Sequence, residues 1–321
     1  MIEKIDSITF GPVPSRRLGR SLGINNIPLK CCTYSCIYCQ LGRTKNMQIE
    51  RQQFYTPEKI VNAVKNKVRK AKEKGESIDY LTFVPDGEPT LDLNLGNELY
   101  LLKKLKIKRA VITNGSLIWM DKARQDLNNA DWVSIKVDTV SEHLWHKINR
   151  PHYSLKLNKI LDAVLEFSQS FNGLLTTETM LVKKVNDDAK ELKKIAEFIK
   201  DLNVEKSYVS TPIRPPCENW VEPASDFEIK QAHQIIQEYG IGVEYLVSYE
   251  GRNFSYTGNM DEDILSISSV HPVREEGLIE LLKKANADWS LIEKLLNEDK
   301  LMEVEYNNKK FYVRKLPKKM L

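Results

Sequence analysis

The segment Lys30-Cys31-Cys32-Thr33-Tyr34-Ser35-Cys36-Ile37-Tyr38-Cys39 concentrates the reactive chemistry of this chain. Cys32, Cys36 and Cys39 stand in a C-x3-C-x2-C spacing, followed by a short loop containing Gly42. Thiolates are soft ligands suited to iron, and three at this spacing can hold three corners of a cubic iron–sulfur cluster. The fourth iron then lacks a protein ligand and is open to a small molecule, so the pattern points beyond electron storage. Lys30 and the N–H groups of the loop are placed to lower the thiol pKa values.

Other registers of the same residues compete. Cys31, Cys36 and Cys39 fit the C-x4-C-x2-C of plant-type ferredoxins, which needs a fourth ligand, and outside the loop only Cys217 is available. A zinc site asks for a fourth Cys or His in a compact partner knuckle, and none is evident. His143 and His146 lie three apart with no further ligand nearby and are read as structural. Buried free cysteines are the plain alternative. Four of the five cysteines lie between Cys31 and Cys39, whereas a disulfide framework spreads its cysteines along the chain. Reduced, metal-binding thiols are the favoured reading, with Cys31 a neighbour and not a ligand.

C-x3-C-x2-C with an aromatic residue just before the last cysteine resembles the radical S-adenosylmethionine (SAM) superfamily. Gly11-Pro12-Val13-Pro14-Ser15-Arg16-Arg17-Leu18-Gly19-Arg20-Ser21-Leu22-Gly23 resembles a subgroup of iron–sulfur oxidoreductases distantly similar to the wyosine-forming tRNA enzymes, over roughly residues 8–260. The resemblance implies a [4Fe-4S] cluster on Cys32, Cys36 and Cys39, with SAM chelating the fourth iron through its amino and carboxylate groups. An electron from a donor such as flavodoxin or ferredoxin then splits the sulfonium bond. The resulting 5′-deoxyadenosyl radical removes a hydrogen atom from a substrate. The cofactors carry the difficult chemistry and the protein orients them. Tyr38 is implied to lie near the adenine. Gly87-Glu88-Pro89 resembles the segment that receives the SAM amino group, with Asp86 where many relatives have a small residue, and Asn114 is implied to contact SAM.

These residues need a scaffold, and the chain supplies alternating strand-like and helix-like segments. Strands are predicted over 22–27, 78–84, 109–113, 132–137, 174–182 and 206–210. Helices are predicted over 57–74, 93–105, 118–128, 141–148, 155–168, 187–201 and 225–239. Repeated βα units predict a parallel sheet curled into a partial or full (β/α) barrel with helices outside. In such barrels chemistry sits at the C-terminal ends of the strands. Phe83-Val84-Pro85-Asp86-Gly87-Glu88 follows one predicted strand: Gly87 permits close backbone approach to a ligand and the flanking prolines stiffen the turn. Asn114-Gly115 follows another, and Asn-Gly is also ordinary turn chemistry.

The segment 133–138 alternates, with Val133, Ile135 and Val137 on one face and Ser134, Lys136 and Asp138 on the other. Central parallel strands are usually apolar on both faces, so this polar face predicts a polar cavity. Ser134 is a candidate for the cofactor; Lys136 and Asp138 are candidates for catalysis, the alternative being an internal Lys136–Asp138 ion pair. Glu178, alone among neutral residues in its strand, is a third catalytic candidate facing the cavity, with Asn186 at the rim. Arg214, on a proline-stiffened loop, is placed to clamp a carboxylate or phosphate. Ser15-Arg16-Arg17, Arg20 and Arg150-Pro151-His152 form basic patches suited to an anionic substrate or an RNA backbone.

From about residue 266 the texture changes. Helices over 275–284 and 289–298 and a hairpin over 301–314, turning at Asn307-Asn308, resemble a winged helix. This predicts a core domain of residues 1–262 and a winged-helix-like domain of residues 263–321. Lys309, Lys310, Arg314, Lys315, Lys318 and Lys319 against Glu303 and Glu305 give the last 21 residues an excess equal to the +4 of the whole 321-residue chain.

Apolar content of 41% supports a real core. No run of about 18 apolar residues exists, and Met1-Ile2-Glu3-Lys4 shows no secretory apolar stretch, so a cytoplasmic protein with no membrane partner is expected. Three functions follow. The first is radical SAM modification of a tRNA through the basic tail, although the extra upstream cysteines for a second cluster are lacking. The second is modification of a protein or small metabolite, the tail then being a docking module or lid. The third is a non-catalytic iron–sulfur electron carrier or DNA-binding regulator.

Overall fold

The computed structural model describes residues 8–247 and 254–315; Lys318 and Lys319 lie outside them. The chain opens with an antiparallel pair, β1 (Thr9–Ser15) and β2 (Gly19–Ile24). Sequence pattern predicts only part of β2, because Gly11, Pro12 and Pro14 mask β1. Proline is tolerated on an edge strand, and β1 is the edge of its sheet. The cysteine loop carries two short parallel strands, β3 (Cys31–Cys32) and β4 (Asn46–Met47).

The βα units follow as α1 (Pro57–Glu73), β5 (Tyr80–Phe83), α2 (Leu95–Leu102), β6 (Lys108–Thr113), α3 (Asp121–Leu127), β7 (Trp132–Lys136), α4 (Glu142–Ile148), α5 (Leu157–Ser170), β8 (Leu174–Met180), α6 (Ala189–Lys200), β9 (Lys206–Ser210), α7 (Asp226–Glu238) and β10 (Val243–Leu246). Every predicted strand and helix of the core is present; β10 is additional. The sheet order is β1-β2-β5-β6-β7-β8-β9-β10, with all strands parallel from β2 onward. This is the expected α/β partial barrel.

Local chemistry explains the boundaries. Thr56 caps α1 by accepting from the Lys59 N–H, and Pro57 occupies the first turn. Ile60, Val61, Val64, Val68 and Ala71 form its buried stripe, and the helix packs on α2. Val133 and Ile135 of β7 join this outer core. Alternate residues point into the lumen, where Ala110, Trp132, Tyr208 and Leu246 pack around Leu18 from the β1–β2 turn. That turn therefore reaches β9 and β10 on the far edge, so the sheet is curled and its lower lumen is plugged.

The C-terminal part contains α8 (Met260–Val270), β11 (Val273–Arg274), α9 (Glu275–Lys284), α10 (Ser290–Asn297), β12 (Leu301–Tyr306) and β13 (Lys309–Arg314), with sheet order β11-β13-β12. Asn307 and Asn308 both have positive φ, 49° and 56°, the signature of a tight hairpin turn. The expected boundary at 262/263 falls inside α8, which shares a core with α9, α10, Phe10 and Val13. Lys67 of α1 fastens it further, donating to Thr257 at 2.7 Å and pairing with Asp263 at 2.8 Å. No helix among the described residues is long and apolar enough to cross a membrane.

One buried group behind the active end titrates unusually. Glu98 of α2 is fully buried with its carboxyl against that of Asp92, and no other described group donates to its oxygens. Burial, and then the nearby Asp92 charge, push its carboxyl well above the ordinary carboxylate range. A raised folded-state pKa means that the folded protein holds a proton the unfolded chain releases, so stability declines as pH rises above about 4.5. Glu98→Gln is expected to gain about 1–3 kcal/mol at alkaline pH and little near pH 5. Thermal melts across pH 5–9 check this; an equal change at both ends would show that the carboxyl carries no extra proton.

Candidate active site

The cysteine loop is stitched to the strand ends by backbone hydrogen bonds. Lys30 donates to the Asp86 carbonyl at 2.7 Å and Glu88 donates to the Cys31 carbonyl at 3.2 Å. A methyl group on Gly87 would collide with that Cys31 carbonyl, so glycine here serves the approach of the two loops to each other. The other side of the loop is held by α4: Ile37 donates to the Ile148 carbonyl at 2.9 Å and Ser35 to the Asn149 carbonyl at 3.0 Å. Gly42, at φ 80°, lets the chain turn after Cys39, with its N–H on the Cys39 carbonyl at 3.1 Å.

A cavity of about 370 Å³ opens over the C-terminal strand ends. Cys32, Cys36 and Cys39 line it, together with Tyr38, Gly87, Glu88, Asn114, Lys136 and Glu178. Cys31 and Cys217 are not in its wall. Cys31 is buried in the main core and takes the Asn46 amide on its sulfur at 3.7 Å. Asn114 Nδ2 donates to Cys32 Sγ at 3.7 Å and to Thr33 at 2.8 Å, and Asn149 Nδ2 lies 3.5 Å from Cys36 Sγ. Burial pushes the Cys36 thiol up to about 12, with Asp138 adding to the effect. It raises Cys32 and Cys39 as well. The expected lowering by Lys30 is felt at Cys39 but burial outweighs it.

Glu88 is spent inside the protein. Its carboxylate accepts from the Thr90 hydroxyl and the Thr113 hydroxyl, both at 2.6 Å, and from the Asn114 N–H at 2.8 Å. It thereby ties the turn after β5 to the turn after β6. Tyr38 donates its hydroxyl to Asp138. Asp138 also accepts from Asn149 Nδ2 at 2.8 Å and from the Met180 N–H at 2.9 Å. Asp138 therefore braces the loop from behind and does not line the cavity. Asn186 is fully buried and bonds the Asp138 and Met180 carbonyls, so it is interior scaffolding and not a rim residue.

The anticipated Lys136–Asp138 pair is absent; Lys136 pairs with Glu178 at 2.7 Å. Arg17 reaches the same carboxylate at 2.5 Å, and Ser210 donates to it at 2.9 Å. Arg17 also contacts Ser134 at 3.4 Å and stands over the rings of Trp132 and Tyr208. Burial alone would raise the Glu178 carboxyl, but Lys136 and Arg17 hold it far below the usual range. The arginines read as one surface patch thus part company: Arg17 is in the lumen, while Arg20 pairs with Glu76 outside. No periodicity in a turn flanked by Ser15 and Gly19 reveals that. Arg214 donates to Gln40 at 3.0 Å and meets His271 of the C-terminal part at 2.8 Å, both at the cavity wall. Arg150 pairs with Glu218.

Among the described residues no three His, Cys, Asp or Glu side chains converge on a single-ion site. A cluster that takes one thiolate per iron does not require such convergence.

A parallel partial barrel with three cysteines at the mouth defines the class, and comparison with known proteins agrees. The Radical SAM superfamily model matches residues 26–199. The chain is 48% identical over 313 residues to UPF0026 protein MJ1312 of Methanocaldococcus jannaschii, covering 97% of each. It is 39% identical over 222 residues to a UPF0026 protein of Helicobacter pylori, covering 67% of this chain and 69% of that one. Among solved structures, a radical SAM methyltransferase from Sphaerobacter thermophilus superposes with TM-score 0.56 at 16% identity, covering 71% of this chain and 67% of that one. A structure of TYW1 with a lysine-pyruvate adduct gives 0.52 at 17% identity, covering 68% and 73%. The chain belongs to the radical SAM superfamily and, within it, to the UPF0026 proteins. It is therefore an enzyme of a superfamily whose members bind a [4Fe-4S] cluster and SAM, which sets aside the non-catalytic reading.

Removing Glu178 would leave Lys136 and Arg17 facing each other, 17% and 15% exposed. Glu178→Ala is expected to cost about 3–5 kcal/mol in chemical denaturation, and adding Arg17→Met should recover part of it. A strictly additive double mutant would show that the three charges are not one unit.

Proposed function

We propose that Cys32, Cys36 and Cys39 hold a [4Fe-4S] cluster whose open iron takes SAM. One observation carries this: these three sulfur-bearing residues share one cavity wall with the strand ends, and the other two cysteines do not. The donor set fits. All three thiols sit on one hydrogen-bonded loop, and amides from Asn114 and Asn149 approach two of the sulfurs, an arrangement that tempers thiolate charge. When bound and reduced by a donor such as flavodoxin or ferredoxin, the pair supplies a 5′-deoxyadenosyl radical for hydrogen abstraction.

The protein's own residues position and shield. Glu88 fixes the two turns that face the cluster loop. Gly87 and Asn114 offer groups to SAM, and Tyr38, braced by Asp138, walls the site. Lys136 and Glu178 present a polar floor to the cofactor or the substrate and take the catalytic role, with Asp138 positioning; Ser134, 1% exposed and not in the cavity wall, contacts Arg17 and acts through it. Arg16 and Arg214 at the wall suit an anionic group on the substrate. We read the part from Met260 onward as a winged-helix-like unit that covers the open side of the barrel.

A tRNA substrate is the first reading, supported by these cationic wall residues. A protein or small metabolite is the second, and one observation favours it: two of the described C-terminal lysines are neutralised. Lys310 pairs with Glu303 at 3.0 Å, and Lys315 pairs with Asp299. Anaerobic reconstitution with dithionite and SAM, assayed with RNA and with protein fractions, separates the two. Cys32→Ala, Cys36→Ala and Cys39→Ala are each expected to lose bound iron and 5′-deoxyadenosine formation. Cys31→Ala and Cys217→Ala are expected to keep both; equal loss at Cys217 would reopen the ferredoxin-like register.

A further inference from the structure

The end of the barrel opposite the cavity carries a positive surface that the protein does not neutralise. Helix α1 runs down to the N-terminal ends of the strands and finishes with Arg69, Lys70, Lys72 and Lys74. Helix α2 returns the chain to the same end through Lys103, Lys104, Lys106 and Lys108. All eight side chains are exposed. α1 packs on α2, and the strands they lead into, β5 and β6, are hydrogen-bonded neighbours, so the two runs lie side by side. The local acids are already engaged: Glu73 by Arg69, Glu76 by Arg20 and Lys284, Asp79 by the Arg20 N–H, and Asp131 in the crevice wall by Arg109. None of the seven lysines is within ion-pair distance of a carboxylate among the described residues, Lys103 acting on Asp131 only from further off.

Lys103 and Lys108 also border a polar crevice of about 500 Å³, whose walls include Tyr80, Tyr100, Asn129 and Asn172. Tyr100 is 61% exposed. A cluster of like charges is self-repelling within the screening length of about 10 Å. A polyphosphate relieves that repulsion and gains by counterion release. The exposed Tyr100 offers a stacking face, and asparagine amides suit sugar hydroxyls and base edges. A lipid surface has no use for the amides.

We propose that this foot of the barrel is a docking surface for structured RNA, separate from the catalytic cavity. The surface is independent of the cluster chemistry and lies at the wrong end of the strands to deliver a ligand directly to Cys32, Cys36 and Cys39. It also differs from the C-terminal hairpin, where Lys310 is paired with Glu303.

The test measures binding of the full chain to a labelled RNA hairpin across a salt series, beside the combined variant Lys103→Glu, Lys104→Glu, Lys106→Glu. The wild type is expected to bind at low salt. The variant should lose about tenfold or more in affinity, with the slope of log K against log salt shallower by about two to three. Its thermal melt and its SAM cleavage after reconstitution should match the wild type, so failure here is distinguishable from failure of the proposed activity. A second variant, Lys70→Glu with Lys72→Glu, should weaken binding in the same direction, while Lys309→Glu with Lys310→Glu should not. The proposal falls if the wild type binds no RNA at low salt or if the foot variants keep both affinity and slope. It falls equally if only the hairpin variant loses binding, or if phosphatidylserine vesicles are bound and RNA is not.

Discussion

A carboxylate inside a barrel must be neutralised, and this chain does so across its whole sheet. Glu178 on β8 takes Lys136 from the neighbouring strand, Ser210 from the next, and Arg17 from the turn before β2. The last of these matters most for shape. A sheet of eight strands with two free edges has no inherent reason to stop at a given curvature. Arg17 and Leu18 fold into the lumen from one edge and meet Tyr208 and Leu246 on the other. The charge on Glu178 makes that insertion favourable, because without Arg17 the lumen would hold a carboxylate with one cation where two groups now share it. The cavity above owes its floor to this knot.

The cysteine loop depends on the floor in turn. The loop buries Tyr34 in the main core and Ile37 in a smaller cluster, and hydrogen bonds to rigid elements fix the rest of its position. Three supports serve it: the turn after β5, locked to the turn after β6 through Glu88; Asn149 at the end of α4; and Asp138 at the end of β7. Glu88 and Asp138 are both buried, and each spends its lone pairs on N–H and O–H donors from separate elements. Removing either would release two turns at once. Glu88 and Asp138 thus serve as braces of the cysteine loop.

Much of this was legible in the sequence. Cysteine spacing pointed to the superfamily that the comparisons show, because metal ligation constrains residue type and interval together. The alternation Val133, Ser134, Ile135, Lys136 disclosed a lumen-facing strand because period two is a property of the backbone. What stayed hidden was contact across long separations. Glu178 was visible as an anomaly, but its partner Arg17 lies 161 positions away in a turn without periodicity. Strand β1 was hidden by prolines that only an edge position tolerates. Lys136 and Asp138, two apart in sequence, looked like partners; Asp138 lies just beyond the strand, where the chain turns its side chain toward α4 instead.

Charge shows the same limit from the other side. The excess of lysine near the C-terminus is plain in the sequence, yet the fold pairs Lys310 with Glu303 and Lys315 with Asp299. The lysines of α1 and of the turn before β6 look like the ordinary solvated face of amphipathic elements. Only the packing of α1 beside α2 sets them together, and only the capture of Glu73 and Glu76 by other cations leaves them uncompensated. Net charge along a chain therefore says little about where a polyanion is held. The field at a surface is set by which acids the fold has already committed elsewhere.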